Sequence, residues 1–229
     1  PWRSIWLFSA IFPLVVAVAI YFTLRDERSP KLFQEDKHTF GIGLRHWSRS
    51  EVLKSSIFWF AFPGLLGLPA FGTVLFFQQV NYAFLKGWDH LSMVKAYPLF
   101  TIVAVGISFL SGTLIDRYSA IKLIGFYQIP AILGFYIFSV CETLVGFSIG
   151  LICFAITAGS NNIIPNAFWA ECFGTASLGK IKALAAGVMV VGSALGPFIS
   201  GFLIDLNFNL NLQYNLFSSY FVFSSALLI

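Results

Sequence analysis

Polar and apolar positions along this chain fall into long uniform blocks rather than into a short repeating period. No Asp, Glu, Lys or Arg occurs in residues 4–24, 55–85, 96–115, 123–141, 143–170, 183–204 or 206–229. A helix needs about 20 mostly apolar residues to cross a hydrocarbon core ~30 Å thick. The first six blocks reach or approach that length. The seventh opens with the polar run NFNLNLQYN and turns apolar only at Leu216. The pattern predicts an all-α membrane protein with six complete spanning helices and a seventh cut short.

Composition agrees with that reading. The chain is 58% hydrophobic and 10% charged, with a mean hydropathy of +0.81. Too little polar surface is left to cover a soluble globule of this size. The first block reads as a spanning helix and not as a signal peptide, because its basic residues follow it (TLRDER) and no small-residue cleavage pattern closes it. The chain opens on Pro1 and ends inside FSSALLI, so a longer protein is expected, with pieces beyond both ends. Cys141, Cys153 and Cys172 show no C-x-x-C spacing and read as free, inert thiols. No metal ion or cofactor is implied.

Charge changes the picture by giving it an orientation. The connections between blocks alternate in basic content. Residues 25–54 carry Arg25, Arg28, Lys31, Lys37, Arg45, Arg49 and Lys54; the third connection has Arg117 and Lys122, and the fifth has Lys180 and Lys182. The connections between these hold only Lys86 and Lys95 as basic residues, with Asp89, Glu142 and Asp205 as the acidic ones. The positive-inside rule places the basic group on the cytoplasmic side of a cell (inner or plasma) membrane, and residues 25–54 with it. The net charge of +4 is then a matter of topology. No basic face with interleaved aromatics points to nucleic acid. Lipid and a small-molecule solute are the expected partners.

One of the basic turns has a sequence of its own. GTLIDRYSAIK, residues 112–122, resembles the cytoplasmic-loop signature of the major facilitator superfamily, G-x-L-a-D-R-x-G-R-[RK]. Gly112, Leu114, Asp116 and Arg117 match its first half. Ser119 and Ala120 stand where Gly and Arg are usual, and Lys122 arrives one place late. GSALGPFISGFLID resembles the G-x-x-x-G-P-x-x-x-G pattern of that superfamily's fifth and eleventh helices through Gly192, Gly196, Pro197 and Gly201. The strings FWAECFGTASLGKIKALAAG and FFQQVNYAFLKGWD are similar to the bacterial branch near oxalate/formate and monocarboxylate transporters.

The resemblance implies a secondary active transporter of partial major facilitator fold, working by alternating access. It implies three parts: 1–24 as the last helix of the amino-terminal half, 25–54 as a mobile cytoplasmic linker, and 55–229 as a six-helix carboxy-terminal bundle with its last helix truncated. The partner would be the missing amino-terminal half of the same protein. Asp116 would act as a latch against the positive end of a helix in that half, with Arg117 and Lys122 as charged neighbours. Taken alone, the same residues read as solvated turn positions that set topology. The resemblance also suggests a small organic anion as the solute. However, relatives that carry one usually place an Arg in the eighth helix, and residues 96–115 hold no charge.

The solute path needs polar or aromatic groups at membrane depth. Candidates are Asn161, Asn162, Gln78, Gln79, Asn81 and Tyr82, with Tyr97, Tyr127 and Gln128 as weaker ones. A buried carboxamide without a partner costs roughly 2–7 kcal/mol, so Asn161 and Asn162 must face protein or water. A plain helix–helix hydrogen bond is their other reading. Seven prolines fall in the spans, at 13, 63, 69, 98, 130, 165 and 197, and FPGLLGLPAFG reads as a bending gate. A polytopic enzyme or a channel is the alternative. No catalytic residue can be named for either, since His38, His46 and His90 lie in the linker and a loop without an H-E-x-x-H pattern. Glu171 reads as an interface or capping charge.

Overall fold

The computed structural model describes residues 2–23 and 40–229, and every regular element among them is a helix. The first part of the expected linker, residues 25–39, lies outside the described residues, as do Pro1 and Leu24. The chain divides into two units, residues 1–37 and 38–229. In the first, helix α1 (Trp2–Thr23) runs 22 residues through Pro13, and Thr23 Oγ1 donates to Ala19 O at 2.7 Å. At 1.5 Å per residue it is about 33 Å long, enough to cross a bilayer core.

The second unit begins with a segment that does not behave as a tether. Ile42 N donates to Cys172 O at 2.8 Å, and the Trp47 and Phe173 rings meet edge to face at 5.3 Å. Helix α2 (Arg49–Lys54) follows, closed at its start by a reciprocal capping box. Ser48 N donates to Glu51 Oε2 at 2.7 Å and Glu51 N to Ser48 Oγ at 3.4 Å. Val52 is fully buried. Residues 40–54, expected to be mobile, pack onto the bundle because Trp47 and Val52 have apolar partners there.

The bundle consists of α3 (Ser56–Phe77), α4 (Gln79–Leu85), α5 (His90–Val94), α6 (Tyr97–Tyr118), α7 (Ala120–Leu123), α8 (Ile129–Val140), α9 (Leu144–Asn161), α10 (Ile164–Phe173), α11 (Leu178–Asp205) and α12 (Leu210–Leu228). Among the described residues, five segments are long and apolar enough to cross a membrane, α1, α3, α5–α6, α9–α10 and α11. Three of the prolines that the sequence placed inside spans also start helices. Pro98, Pro130 and Pro165 sit in the first turns of α6, α8 and α10, where a missing N–H costs nothing. The expected span over 123–141 therefore has an irregular start. Residues 124–128 form turns, and only the 12 residues of α8 are regular. The last helix also differs from expectation. It begins at Leu210, inside the polar run, capped by Asn209 Oδ1 accepting from Leu212 N at 2.8 Å. Gln213 is buried there because Ser200 Oγ donates to its Oε1 at 2.7 Å and its Nε2 donates to Phe208 O at 3.1 Å.

Helix α3 packs against α11 and α12, α8 bridges α9 and α12, and α6 lies on α9. Two apolar clusters result. One gathers Val52, Phe58, Trp169, Phe173 and Ile181, and the other Tyr82, Met93, Phe138, Phe147 and Tyr214. They lie toward opposite ends. Arg45, Arg49, Lys54, Arg117, Lys122, Lys180 and Lys182 belong to turns and termini at the first end, and Lys86 and Lys95 to those at the second. The Lys86 ammonium, with its side chain 5% exposed, meets Glu142 at 2.7 Å and ties two connections of that second end together.

Candidate transport site: loop motif, packing face and cleft

The loop motif closes α6. Ser119 has φ 71° and ψ 145°, a backbone conformation that glycine adopts freely and other residues rarely do. This is the place where the signature usually has Gly. The strain, of order 1–3 kcal/mol, is met by a carboxylate from α10. Glu171 accepts from Ser119 Oγ at 2.5 Å, from Ala120 N at 2.9 Å and from Ile121 N at 3.1 Å. Hydrogen bonds to a charged group contribute ~1.5–3 kcal/mol each, enough to offset the strain. Glu171 is therefore a capping charge, as one reading had it, and the element it caps is α7.

Asp116 stands exposed in the last turn of α6 and makes no hydrogen bond or ion pair with another described residue. Arg117 lies over the Tyr118 ring at 5.3 Å, and Lys122 is exposed. Leu114 is half-buried. A Cβ on Gly112 would meet open space, so packing within the described residues does not require glycine there.

On α11 the small-residue face divides. A Cβ on Gly196 would overlap the Ala70 carbonyl, and one on Gly192 would come within 3.1 Å of Leu66 O. These two glycines let α11 approach the backbone of α3. Gly201, expected on the same face, looks into open space. Pro197 lies inside α11 and half-buried.

The path candidates divide as well. Gln78, Gln79, Asn81 and Tyr82 sit where α3 gives way to α4, toward the end away from the basic turns. Gln78 is the cap between these two helices, and Asn81 is half-buried. Gln79 Oε1 accepts from Tyr97 at 2.6 Å. Tyr82 is fully buried and donates to Phe138 O at 2.6 Å. Gln79, Tyr82 and Tyr97 thus have protein partners.

Asn161 and Asn162 instead line a cleft of about 250 Å³ between α3, the α9–α10 junction and α11. Asn166, Trp169 and Lys182 share its wall. Asn166 and Lys182 were not expected here. For Asn166 the signal was NNIIPN, in which Pro165 restarts the helix and turns a third Asn to the same side; no motif marked Lys182.

Behind the cleft a polar network reaches the two prolines of α3. The Tyr127 hydroxyl donates to Asn161 Oδ1 at 3.3 Å and accepts from Gln128 Nε2 at 2.9 Å. Gln128 Nε2 also donates to Gly64 O at 3.1 Å, while Gln128 Oε1 accepts from Ser224 at 2.8 Å. Tyr220 donates to Pro63 O at 2.9 Å, and Thr73 to Pro69 O. Side chains here bind the carbonyls of Pro63, Gly64 and Pro69. Helix α3 is continuous across both prolines.

No curated protein and no solved structure matches the chain. The family model described as Major Facilitator Superfamily matches residues 1–197, so the chain belongs to the major facilitator superfamily.

Proposed function

We propose that this chain is the carboxy-terminal half-bundle, with the last helix of the amino-terminal half, of a carrier that moves a small solute by alternating access. Superfamily members are secondary transporters and not enzymes, and the chain is a multi-pass membrane protein. In this reading α1 is the sixth helix of the fold and α3 the seventh. Helix α6 is the eighth, α8 the ninth, α9–α10 the tenth, α11 the eleventh and α12 the twelfth. Residues 25–54 are cytoplasmic, in a cell membrane, and the partner of the bundle is the other half of the same protein.

The observation that carries the reading is the cleft. Asn161, the last residue of α9, and Asn162, its cap, both line one open volume that Lys182 also lines. Interrupted helices commonly border solute sites in transporters, and the α9–α10 junction is such an interruption. Asp116 supports the second part of the mechanism. An exposed carboxylate without a partner among the described residues can meet the positive end of a helix in the opposite half when the basic side closes. Such a contact contributes ~0.3–2 kcal/mol, enough to bias an equilibrium without freezing it. The glycine face of α11 against α3 and the paired prolines of α3 supply the elements that move.

Counterflow in proteoliposomes tests the reading. Internal unlabelled solute should accelerate entry of the labelled solute, with saturation and no chemical change. A linear, unsaturable flux indicates a channel, and a converted solute indicates an enzyme; either removes the proposal.

A further inference from the structure

The groups left free in the cleft define the chemistry of an occupant. Lys182 reaches the cleft wall and makes no hydrogen bond or ion pair with another described residue. No Asp or Glu lines the same wall. An ammonium without an acidic neighbour among the described residues, next to an apolar surface that includes Trp169, favours an anion. The three carboxamides are then oriented by their other bonds. Asn162 Nδ2 donates to Ala158 O at 3.4 Å and Asn166 Nδ2 to Asn162 O at 2.8 Å. Both amides thereby keep Oδ1 as an unengaged acceptor. Asn161 is the reverse, because its Oδ1 accepts from Tyr127 and its Nδ2 is left to donate.

We propose that this cleft binds a small polyhydroxy carboxylate, with its carboxylate on Lys182 and Asn161 Nδ2 and its hydroxyls donating to Asn162 Oδ1 and Asn166 Oδ1. A charged amine in place of the hydroxyls would meet no balancing carboxylate. The cleft, about 250 Å³, suits a solute of a few carbons. It is smaller than the ~300–1,000 Å³ of sites for drug-sized ligands. The proposal rests on the carrier reading for its role in transport, but the binding it describes can be measured separately.

The test is equilibrium binding to the purified full-length protein in detergent, read by tryptophan fluorescence and by unfolding temperature. The probes are glycerate, propionate, which lacks the hydroxyls, and glycerol, which lacks the charge. Glycerate should bind saturably, propionate about tenfold more weakly, and glycerol not at all. Lys182→Gln should weaken glycerate about ten- to a hundredfold, Lys182→Arg should retain it, and Lys180→Gln should leave it unchanged. Asn166→Ala should reduce glycerate toward the propionate level. Equal binding of glycerate and propionate overturns the assignment of the hydroxyls. Equal effects of the Lys180 and Lys182 variants, or no glycerate binding, overturn the site. Glycerate binding without counterflow would leave the site standing and remove the carrier reading. Counterflow of another solute without glycerate binding would do the opposite.

Discussion

The carboxylate of Glu171 lies 2.5 Å from the Ser119 hydroxyl across 52 residues of sequence and also accepts two backbone N–H groups of the next turn. A charge at the end of α10 thus holds the shape of the turn that follows Asp116. Glu171→Gln removes the charge and one acceptor, and should lower stability by ~1–3 kcal/mol. Ser119→Gly in that background should recover part of the loss, because glycine has no strain at a positive φ. Unfolding temperature in detergent checks both. A neutral Glu171→Gln would mean that the turn holds itself.

Asp116 has no partner among the described residues, so its removal should leave the bundle intact. Asp116→Asn should insert and unfold as the parent does, while transport slows by up to about thirtyfold, the equivalent of a contact of ~2 kcal/mol. Unchanged turnover in proteoliposomes would reduce Asp116 to a solvated turn residue.

The glycine face makes an internal comparison. Gly196→Ala places a methyl group against the Ala70 carbonyl and should cost ~1–3 kcal/mol, and Gly196→Leu more. Gly201→Ala meets nothing within 4 Å and should be neutral or slightly stabilising. Thermal unfolding of the three variants decides, and equal losses at both positions would refute the division.

Much of this organisation was legible in the sequence, for a physical reason. Lipid excludes charge, so the blocks without Asp, Glu, Lys or Arg carried the helices, and the alternating basic turns carried the division of charge between the two ends of the bundle. The positive φ at Ser119 was not read from the loop signature, although Ser stands there in place of the usual Gly. Side-chain direction was less legible. Nothing in the pattern says which way Tyr82 and Gln79 turn, and both are engaged with Phe138 and Tyr97. Pro98, Pro130 and Pro165 were placed within spans but not at helix starts, because a block shows where charge is absent and not where a helix begins. Glu171 and Lys182 were read only by position near helix ends. The turn one caps and the cleft the other lines depend on tertiary packing.

The capping box of α2 gives a pH signature. Hydrogen bonds from the Ser48 side chain and backbone hold the Glu51 carboxyl below its usual value. A carboxyl lowered in the folded state adds stability above its unfolded pKa of ~4.3 and loses it as pH falls through the folded value. Amide protection in residues 48–52 should therefore be full at neutral pH and fall in acid below that range. In Glu51→Gln it should be weaker and flat with pH. The same acid loss in Glu51→Gln would assign the effect to another group.

The central claim is that the chain threads the membrane with its basic turns on one side and the Asn-lined cleft open toward them. Cys141 and Cys172 are buried and Cys153 half-buried, so a background with these replaced by Ser or Ala disturbs little that is exposed. In that background, single substitutions Lys122→Cys, Asn166→Cys and Lys95→Cys are labelled in sealed vesicles with a membrane-impermeant maleimide. Lys122→Cys and Asn166→Cys should react from the cytoplasmic side only, and Lys95→Cys from the opposite side only. Labelling of Lys122→Cys and Lys95→Cys from the same side would contradict the account.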